Sequence, residues 1–301
     1  MARGGNNLKS NITSVAERDC GGSHLTIEAR VNTVRAFAGH LREAGYGNLK
    51  SVDQIRTKHI QSYANSLKGN VSVRTVANRM SHIRSVVEAA GKGQMLHEPA
   101  LANKGLGASG GSRIGTKEPM TAEAYEKYHA AVGAKSPGAA AVMELQRALG
   151  LRVNEAVRGA EKENLGKWQR QLQTGHDKVV SIVGGTKGGR GRETLVHGYE
   201  RALSAVSAAL DIANGNKDGF VLTGRDAQQA YDHMGNTYKS VGMGGKEASH
   251  SMRYAWAREQ TAAYRKGGMG DKQALKELSQ DLGHGDGRGR YVAMVYDRKV
   301  G

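Results

Sequence analysis

The chain has 301 residues, of which 38% are hydrophobic, enough to fill the core of one large domain or of two medium ones. No apolar run approaches the roughly 20 residues of a membrane-spanning helix, and the first residues lack the apolar stretch of a signal peptide, so we expect a soluble intracellular protein. The single cysteine, Cys20, excludes an intrachain disulfide and a cysteine-rich metal site.

The charge of the chain is the first indication of its function. Lysine and arginine number 44 against 28 aspartates and glutamates, which gives a formal net charge of +16. Such a field attracts polyanions, because releasing the counterions of a nucleic acid drives binding. It favours a nucleic-acid partner over a merely basic or ribosome-associated protein. Aromatic residues make up only 5% of the chain, which argues against base stacking on single strands and favours duplex DNA.

The first part of the chain predicts a small helical domain over residues 25–101, preceded by a polar N-terminal arm over 1–24 that is either loose or one short helix. Helices are predicted from Thr26 to the glycines near residue 46, over Thr57–Leu67, and after Ser72, which can cap the third. Arg30 lies off the apolar stripe of its helix and is expected on the outer surface. The stripes of the first and third helices comprise Ile27, Val31, Val34, Ala38 and Leu41, then Val73, Val76, Ala77, Met80, Ile83, Val87 and Ala90.

Residues 102–118 have the composition of a linker between two domains. They contain five glycines and little apolar content. Lys104, Arg113 and Lys117 make the segment basic, as expected of a strap in a protein that encircles DNA. A mere spacer is the alternative.

The larger second part, residues 119–301, mixes helices with one β-hairpin. Thr121 can cap a helix, and Ala139–Leu149 has the pattern of a buried one. Two short β runs, Val179–Val183 and Glu193–Val196, flank a glycine-rich basic stretch and predict a hairpin with a long tip. The remainder, from about residue 198, again favours helices.

Two segments of this part carry basic residues suited to phosphate chemistry. In Gly150-Leu151-Arg152-Val153-Asn154-Glu155, the glycine ends a helix and Glu155 lies one turn beyond Arg152, where it can brace the guanidinium. An arginine held in this way can clamp a phosphate through two parallel N–H bonds. Lys187 stands on the hairpin tip, where it can reach a groove of DNA or donate a proton to a leaving oxygen. Taken singly, an exposed ion pair and a solvated turn lysine are the ordinary explanations.

Two later segments add imidazoles and phenols. His250 and Arg253 are three residues apart, so on a helix they share a face, and a cation beside an imidazole suits phosphate binding with proton transfer. His284 follows a glycine in Leu282-Gly283-His284 and can point into a cleft. Tyr291 and Tyr296 follow. Met252 and Trp256 are expected in the core.

In their order along the chain, these segments resemble the tyrosine recombinase, or phage integrase, family. That family carries Arg in a Gly-Leu-Arg-x-x-Glu context, Lys on a β-hairpin, His-x-x-Arg on a helix, Leu-Gly-His and then Tyr. The resemblance covers about residues 120–301, and the helical N-terminal part is similar to the family's core-binding (SAM-like) domain. The matching residues are Arg152, Lys187, His250, Arg253, His284 and a terminal tyrosine.

The resemblance implies a mainly α fold with a small β-hairpin. A helical core-binding domain and a mixed α+β catalytic domain over residues 119–301 would form a C-shaped clamp on DNA. The activity it implies is site-specific recombination, either integration or excision, in which strands are cut and rejoined through a 3′-phosphotyrosine bond.

The nucleophile is assigned from the last tyrosines. The family's usual spacing after Leu-Gly-His falls on Ala293, so neither tyrosine stands at the usual place. The stretch from Gly285 to Arg290 has the composition of a lengthened loop, which would shift the nucleophile later. We therefore favour Tyr296, which ends an apolar stretch as the family's tyrosine does, and keep Tyr291 as the alternative.

The resemblance also implies how the phosphate is activated. Arg152 and Arg253 would neutralise its non-bridging oxygens, and Glu155 would orient Arg152 or His250. Because two arginines supply the positive charge, no metal and no cofactor is expected.

The implied proton transfers involve three further residues. A phenol has a pKa of about 10, so Tyr296 needs a base or cationic surroundings before it attacks phosphorus. His250 would accept its proton, Lys187 would protonate the leaving 5′-oxygen, and His284 would hydrogen-bond the phosphate.

The implied partner is double-stranded DNA in the cytoplasm, at the nucleoid of a bacterial or phage-infected cell. Four protomers are expected on DNA, with a monomer or dimer when free, together with an accessory DNA-bending or directionality factor. Only five residues follow Tyr296, fewer than the C-terminal segment by which family members often dock on a neighbour.

Two other functions use the same sequence features. A type IB topoisomerase would use the same chemistry to relax supercoils, although the short two-domain layout favours a recombinase. A catalytically inactive DNA-binding relative is the non-enzymatic alternative, suggested by the irregular spacing before the tyrosine.

Overall fold

The computed structural model of the protein divides the chain into two compact units, Met1–Ser112 and Arg113–Gly301. Each unit has its own apolar core. In the part of the chain that the structure describes, helices predominate beside one two-stranded sheet, and no helix there is both long and apolar enough to cross a bilayer. The described residues are 7–112, 115, 117–174, 178–186 and 189–297.

The first unit is built from amphipathic helices, as the apolar spacing predicts. Ser23 and Ser72 cap the second and fourth of them by accepting hydrogen bonds from backbone amides three residues on. Their apolar stripes meet in one core around Phe37 and Tyr63. Val73, in the first turn of its helix, is an exception and is 39% exposed. The helices are α1 (Leu8–Arg18), α2 (His24–Glu43), α3 (Thr57–Leu67) and α4 (Val73–Val87), with short helical turns over residues 88–101.

Two sequence expectations for this unit need correction. The segment expected as a loose arm or one short helix does contain one short helix, α1, but this helix buries Leu8 and Ile12 against the core, so these residues belong to the helical unit and are not a separate arm. Arg30 is buried rather than exposed, because its guanidinium donates to the backbone carbonyls of Cys20 and Gly21 at 3.0 and 3.1 Å and so satisfies the loop after α1.

The start of the glycine-rich segment also differs from a free linker. Leu106 and Ala108 are buried and belong to the core of the first unit. Their burial follows from a tight series of turns in which the amide of Ala108 donates to the carbonyl of Asn103 at 2.8 Å. The boundary between the compact units falls after Ser112, within the predicted linker.

The second unit contains the other helices and the sheet. Its two strands, β1 (Val179–Ile182) and β2 (Arg192–Leu195), pair antiparallel with Val179 opposite Leu195, which confirms the predicted hairpin to within a residue at each end. The helices are α5 (Ala122–Lys135), α6 (Pro137–Leu149), α7 (Val153–Gly159), α8 (Lys162–Thr174), α9 (Tyr199–Gly215), α10 (Ala227–Ser240), α11 (His250–Lys266), α12 (Asp271–Asp281) and α13 (Gly289–Val295).

Two apolar clusters position the candidate site residues. The larger one packs the buried helix α6 against α5, α7 and α9, extends to Val180 and Ile182 of the sheet, and includes Met252, as predicted. The smaller one joins α11, α12 and α13 through Tyr254, Trp256 and Leu278, and it also contains Tyr296. Segments that are distant in sequence, at the start of α7 and at the ends of α12 and α13, are thereby held around the N-terminal half of α11.

Candidate active site

Arg152 and Glu155 lie at the junction of α6 and α7. Helix α6 ends at Gly150, whose φ of 61° is left-handed and whose missing Cβ would lie 2.4 Å from ring atoms of Trp256, so only glycine fits. Arg152 is the N-cap of α7. The Glu155 carboxylate accepts from the Arg152 backbone amide at 2.8 Å and from its guanidinium at 2.5 Å. The predicted bracing of Arg152 by Glu155 is therefore present.

Arg253 of α11 points into the same place. It is fully buried, and its Nη1 donates to the carbonyl of Gly150 while its Nη2 donates to the carbonyl of Leu282 at 2.5 Å. Arg152 Nη2 donates to the same Leu282 carbonyl at 3.4 Å. The two arginines that the sequence singles out thus lie side by side. The Nε of Arg253 is buried with no hydrogen-bond partner among the described residues.

Tyr296 stands beside both predicted histidines. Its hydroxyl lies 3.4 Å from Nε2 of His284, and its ring centroid lies 6.2 Å from that of His250. The side chain is only 4% exposed and also packs on Tyr254, with ring centroids 4.6 Å apart. Tyr291 is half-buried and meets His284 edge to face at 5.2 Å between centroids. Of the two candidate tyrosines, Tyr296 is the one with a hydroxyl in hydrogen-bond range of an imidazole.

All but one of the predicted site residues lie together in the structure; the exception, Lys187, is not among the described residues. The structure brings together Arg152, Glu155, His250, Arg253, His284 and Tyr296. The hairpin flanks an open cleft of about 790 Å³, whose lining includes Arg152, Arg190 and His284.

Two residues near the site were missed by the sequence analysis. Arg192, the first residue of β2, donates to both oxygens of Glu155, at 2.6 and 3.0 Å. Asp281 ends α12, and its carboxylate accepts from the Leu195 amide at 2.9 Å and the Tyr264 hydroxyl at 2.6 Å. The sequence did offer a signal for Arg192. Because side chains alternate between the two faces of a strand, Arg192 lies on the same face of β2 as the buried Thr194.

Burial and neighbouring guanidiniums keep both histidines neutral. Burial, followed by the charges of Arg253 and Arg152, lowers the pKa of His250 to about 4. The same causes lower the pKa of His284 to about 3. At neutral pH each imidazole therefore has one nitrogen free to accept a proton.

Glu155 and Arg253, which lie beside the histidines, stay charged at neutral pH. Burial opposes ionisation of Glu155, but hydrogen bonds and charge from Arg192, with the charges of Arg253 and Arg152, hold the pKa of its carboxyl at about 2. Burial and then the charge of Arg192 lower the pKa of Arg253 to about 10, still well above neutrality. One carboxylate thus faces three guanidiniums, which leaves the pocket with an excess of positive charge suited to an anion.

Comparison with known families identifies the class of protein. A family model described as "Integrase" matches residues 107–259, and one described as "Phage integrase, N-terminal" matches residues 5–96. Because the first match alone spans half of the chain, the protein belongs to the integrase family of tyrosine recombinases, enzymes of site-specific DNA recombination. No curated protein matches the chain in sequence.

Solved structures share the fold over nearly the whole chain. A lambda integrase dimer bound to a COC′ core site has a TM-score of 0.58 at 16% identity, covering 96% of this chain and 94% of that one. The Tn1549 transposon integrase in complex with transposon right-end DNA has a TM-score of 0.59 at 14% identity, covering 96% of each chain. The XerH site-specific recombinase bound to a difH substrate has a TM-score of 0.56 at 15% identity, covering 97% of this chain and 81% of that one.

Proposed function

We propose that the protein cleaves duplex DNA with Tyr296 and rejoins it to a second duplex through a 3′-phosphotyrosine bond. The observation that carries the proposal is the position of Tyr296. Its hydroxyl lies 3.4 Å from His284, its ring lies 6.2 Å from that of His250 between centroids, and the same site holds the partly exposed Arg152 beside the fully buried Arg253. A phenol next to an acid–base group and an anion-binding pocket is what nucleophilic attack on a phosphodiester requires.

Arg152 and Arg253 bind the scissile phosphate in this proposal. Both guanidiniums donate to the Leu282 carbonyl, so they are fixed side by side before any DNA arrives. Fixed donors in a site of low dielectric stabilise the charge that builds on the non-bridging oxygens in the pentacoordinate transition state. The donors are the buried Nε of Arg253 and the guanidinium of Arg152, whose side chain is 24% exposed.

The proton transfers use the two neutral imidazoles and the hairpin lysine. His250 accepts the phenolic proton of Tyr296 as the oxygen attacks phosphorus. His284, which lines the open cleft, donates a hydrogen bond to the phosphate. Lys187 protonates the departing 5′-oxygen, so the products are an enzyme–DNA ester and a free 5′-hydroxyl. The reverse steps, with a 5′-hydroxyl from another strand, complete the exchange.

A covalent-capture experiment tests the cleavage step without a known target. Nicked duplexes from a randomised library lose the short 5′-hydroxyl fragment after cleavage, so the ester accumulates and survives a denaturing gel. The wild-type protein and Tyr291→Phe are expected to retain DNA, and Tyr296→Phe is expected to retain none. Absence of any covalent complex with wild-type protein would refute the proposal, and loss of the complex in Tyr291→Phe alone would transfer the nucleophile to Tyr291.

Strand exchange also needs more than one protomer. A lambda integrase tetramer bound to a Holliday junction matches this chain with a TM-score of 0.56. We propose that four copies of this protein assemble likewise on two duplexes, at the nucleoid of the cell, with an accessory DNA-bending factor. Once covalent capture has yielded a target, a plasmid with two copies of it distinguishes recombination, which gives recombinants, from relaxation alone, which would make the protein topoisomerase-like.

A further inference from the structure

Glu155 is a fully buried carboxylate whose charge is shared among three arginines. Arg152 and Arg253 come from the segments already assigned to the phosphate, with Arg253 Nη1 at 3.7 Å from the carboxylate. Arg192 comes from the sheet and makes the most complete contact, with two parallel N–H···O bonds of 2.6 and 3.0 Å. A bidentate pair of this kind fixes the orientation of a carboxylate as well as its charge.

Arg192 is itself held on both sides. Its Nε donates to the backbone carbonyl of Asp281 at 2.7 Å, and the hydroxyl of Thr194 donates to the same oxygen at 3.0 Å. Its side chain is 6% exposed. Asp281 immediately precedes Leu282, whose carbonyl receives both Arg152 and Arg253. One arginine of the hairpin therefore joins β2, α7 and the end of α12 at the point where the other two arginines meet.

We propose that Arg192 is a positioning residue, which orients Glu155 so that this carboxylate presents Arg152 to the scissile phosphate. The inference rests on the proposed function of Arg152. Arg192 directs all three of its nitrogen atoms at Glu155 or Asp281, so it acts through Glu155 rather than on the phosphate.

The physical reason is competition for Arg152. With Arg192 present, Glu155 is saturated by fixed donors, and the Arg152 guanidinium keeps N–H groups for an incoming phosphate. Without Arg192, the buried carboxylate turns to the nearest remaining cations, Arg152 and Arg253, and draws them away from the phosphate. Displacing a phosphate-binding group by about 1 Å is expected to slow cleavage by about 100-fold.

A double-mutant cycle on covalent-complex formation tests this route. Arg192→Met is expected to lose about 100-fold in rate, and Arg192→Lys most of that, because an ammonium keeps the charge but cannot form the two parallel bonds. Combined with Glu155→Gln, Arg192→Met is expected to add little further loss, since both changes remove one interaction. The matched control is Arg190→Met, two residues away, exposed and lining the same cleft, which is expected to combine additively with Glu155→Gln.

A neutral substrate separates positioning from loss of folded protein. Replacing one non-bridging oxygen of the scissile phosphate by methyl removes the negative charge that the arginines neutralise. The defect of Arg192→Met is therefore expected to shrink at least tenfold on this methylphosphonate, whereas a smaller folded fraction would slow both substrates equally. Equal defects on the two substrates, or additive losses with Glu155→Gln, would overturn the inference. Failure of the wild-type protein to react with either substrate would instead refute the proposed function.

Discussion

Among single residues, the proposed mechanism depends on imidazoles that stay neutral. Burial and the charges of Arg253 and Arg152 depress the pKa of His250 to about 4, below the ordinary histidine value of about 6.5. Protonation would prevent His250 from accepting the proton of Tyr296. In the proposed mechanism, cleavage requires neutral His250, which prevails above the depressed pKa and is lost only as the pH falls through it.

This predicts an unusual pH profile for cleavage. The second-order rate constant at limiting DNA, which reports the free protein, is expected to stay nearly constant from pH 8 to pH 5.5. With saturating DNA, the cleavage rate is expected to begin falling at a higher pH, because the bound phosphate stabilises the protonated imidazole. A roughly tenfold fall in the second-order constant by pH 5.5, as for a histidine with an ordinary pKa, would contradict the assignment. DNA affinity measured at each pH is the control.

The candidate site residues could be predicted from the sequence where two of them lie close together along the chain. Arg152 with Glu155, and His250 with Arg253, are each three residues apart, so one helical turn sets the geometry. Arg192 could not be assigned in this way, since its partner Glu155 is 37 residues away and the contact depends on how the hairpin packs on α7.

Among the elements, the last helix, α13, makes a close contact with Gly115, which precedes α5. The amide of Gly115 donates to the Met294 carbonyl at 3.4 Å. A Cβ on Gly115 would lie 2.5 Å from the Val295 carbonyl oxygen and 2.6 Å from the Tyr254 hydroxyl. Gly115 therefore supports α13 directly before Tyr296.

Gly115→Ala is expected to displace the end of α13 and slow covalent-complex formation by about tenfold or more. Overpacking of this kind is also expected to lower the free energy of unfolding by about 1–3 kcal/mol. Gly198→Ala is the matched control, because no atom lies within 4 Å of the added Cβ. Cleavage rates and thermal melts of the two variants provide the comparison, and a Gly115→Ala protein as fast as wild type would show that α13 does not depend on this contact.

Elements with strong apolar periodicity were predicted well, and segments of mixed composition were not. Helix α3 begins and ends where its pattern predicts, at Thr57 and Leu67. The polar sequence of α1 gives only a weak stripe, so its packing on the core was not foreseen. Leu106 is a single apolar residue among glycines, and its burial depends on turns that composition alone does not reveal.

At the scale of the whole molecule, the net charge of +16 is the feature that any DNA complex must use. A protein that contacts six to ten phosphates loses about 10³- to 10⁵-fold in affinity between 50 and 200 mM salt, because counterions are released on binding. We expect duplex affinity to fall by at least about a thousandfold over this range, as measured by fluorescence anisotropy with a labelled duplex. A fall of less than tenfold would show that the positive charge is not directed at DNA.

If Tyr296 is the nucleophile, it becomes covalently bonded to DNA, and peptide mapping of the trapped complex identifies the bonded residue. Trypsin cleavage after Arg290 and Arg298 leaves one peptide that contains both Tyr291 and Tyr296, so fragmentation within that peptide must locate the modified residue. We expect the nucleotide mass to remain on the fragments that include Tyr296 and to be missing from those that contain only Tyr291. A nucleotide mass on Tyr291, or on a residue outside this peptide, would contradict it.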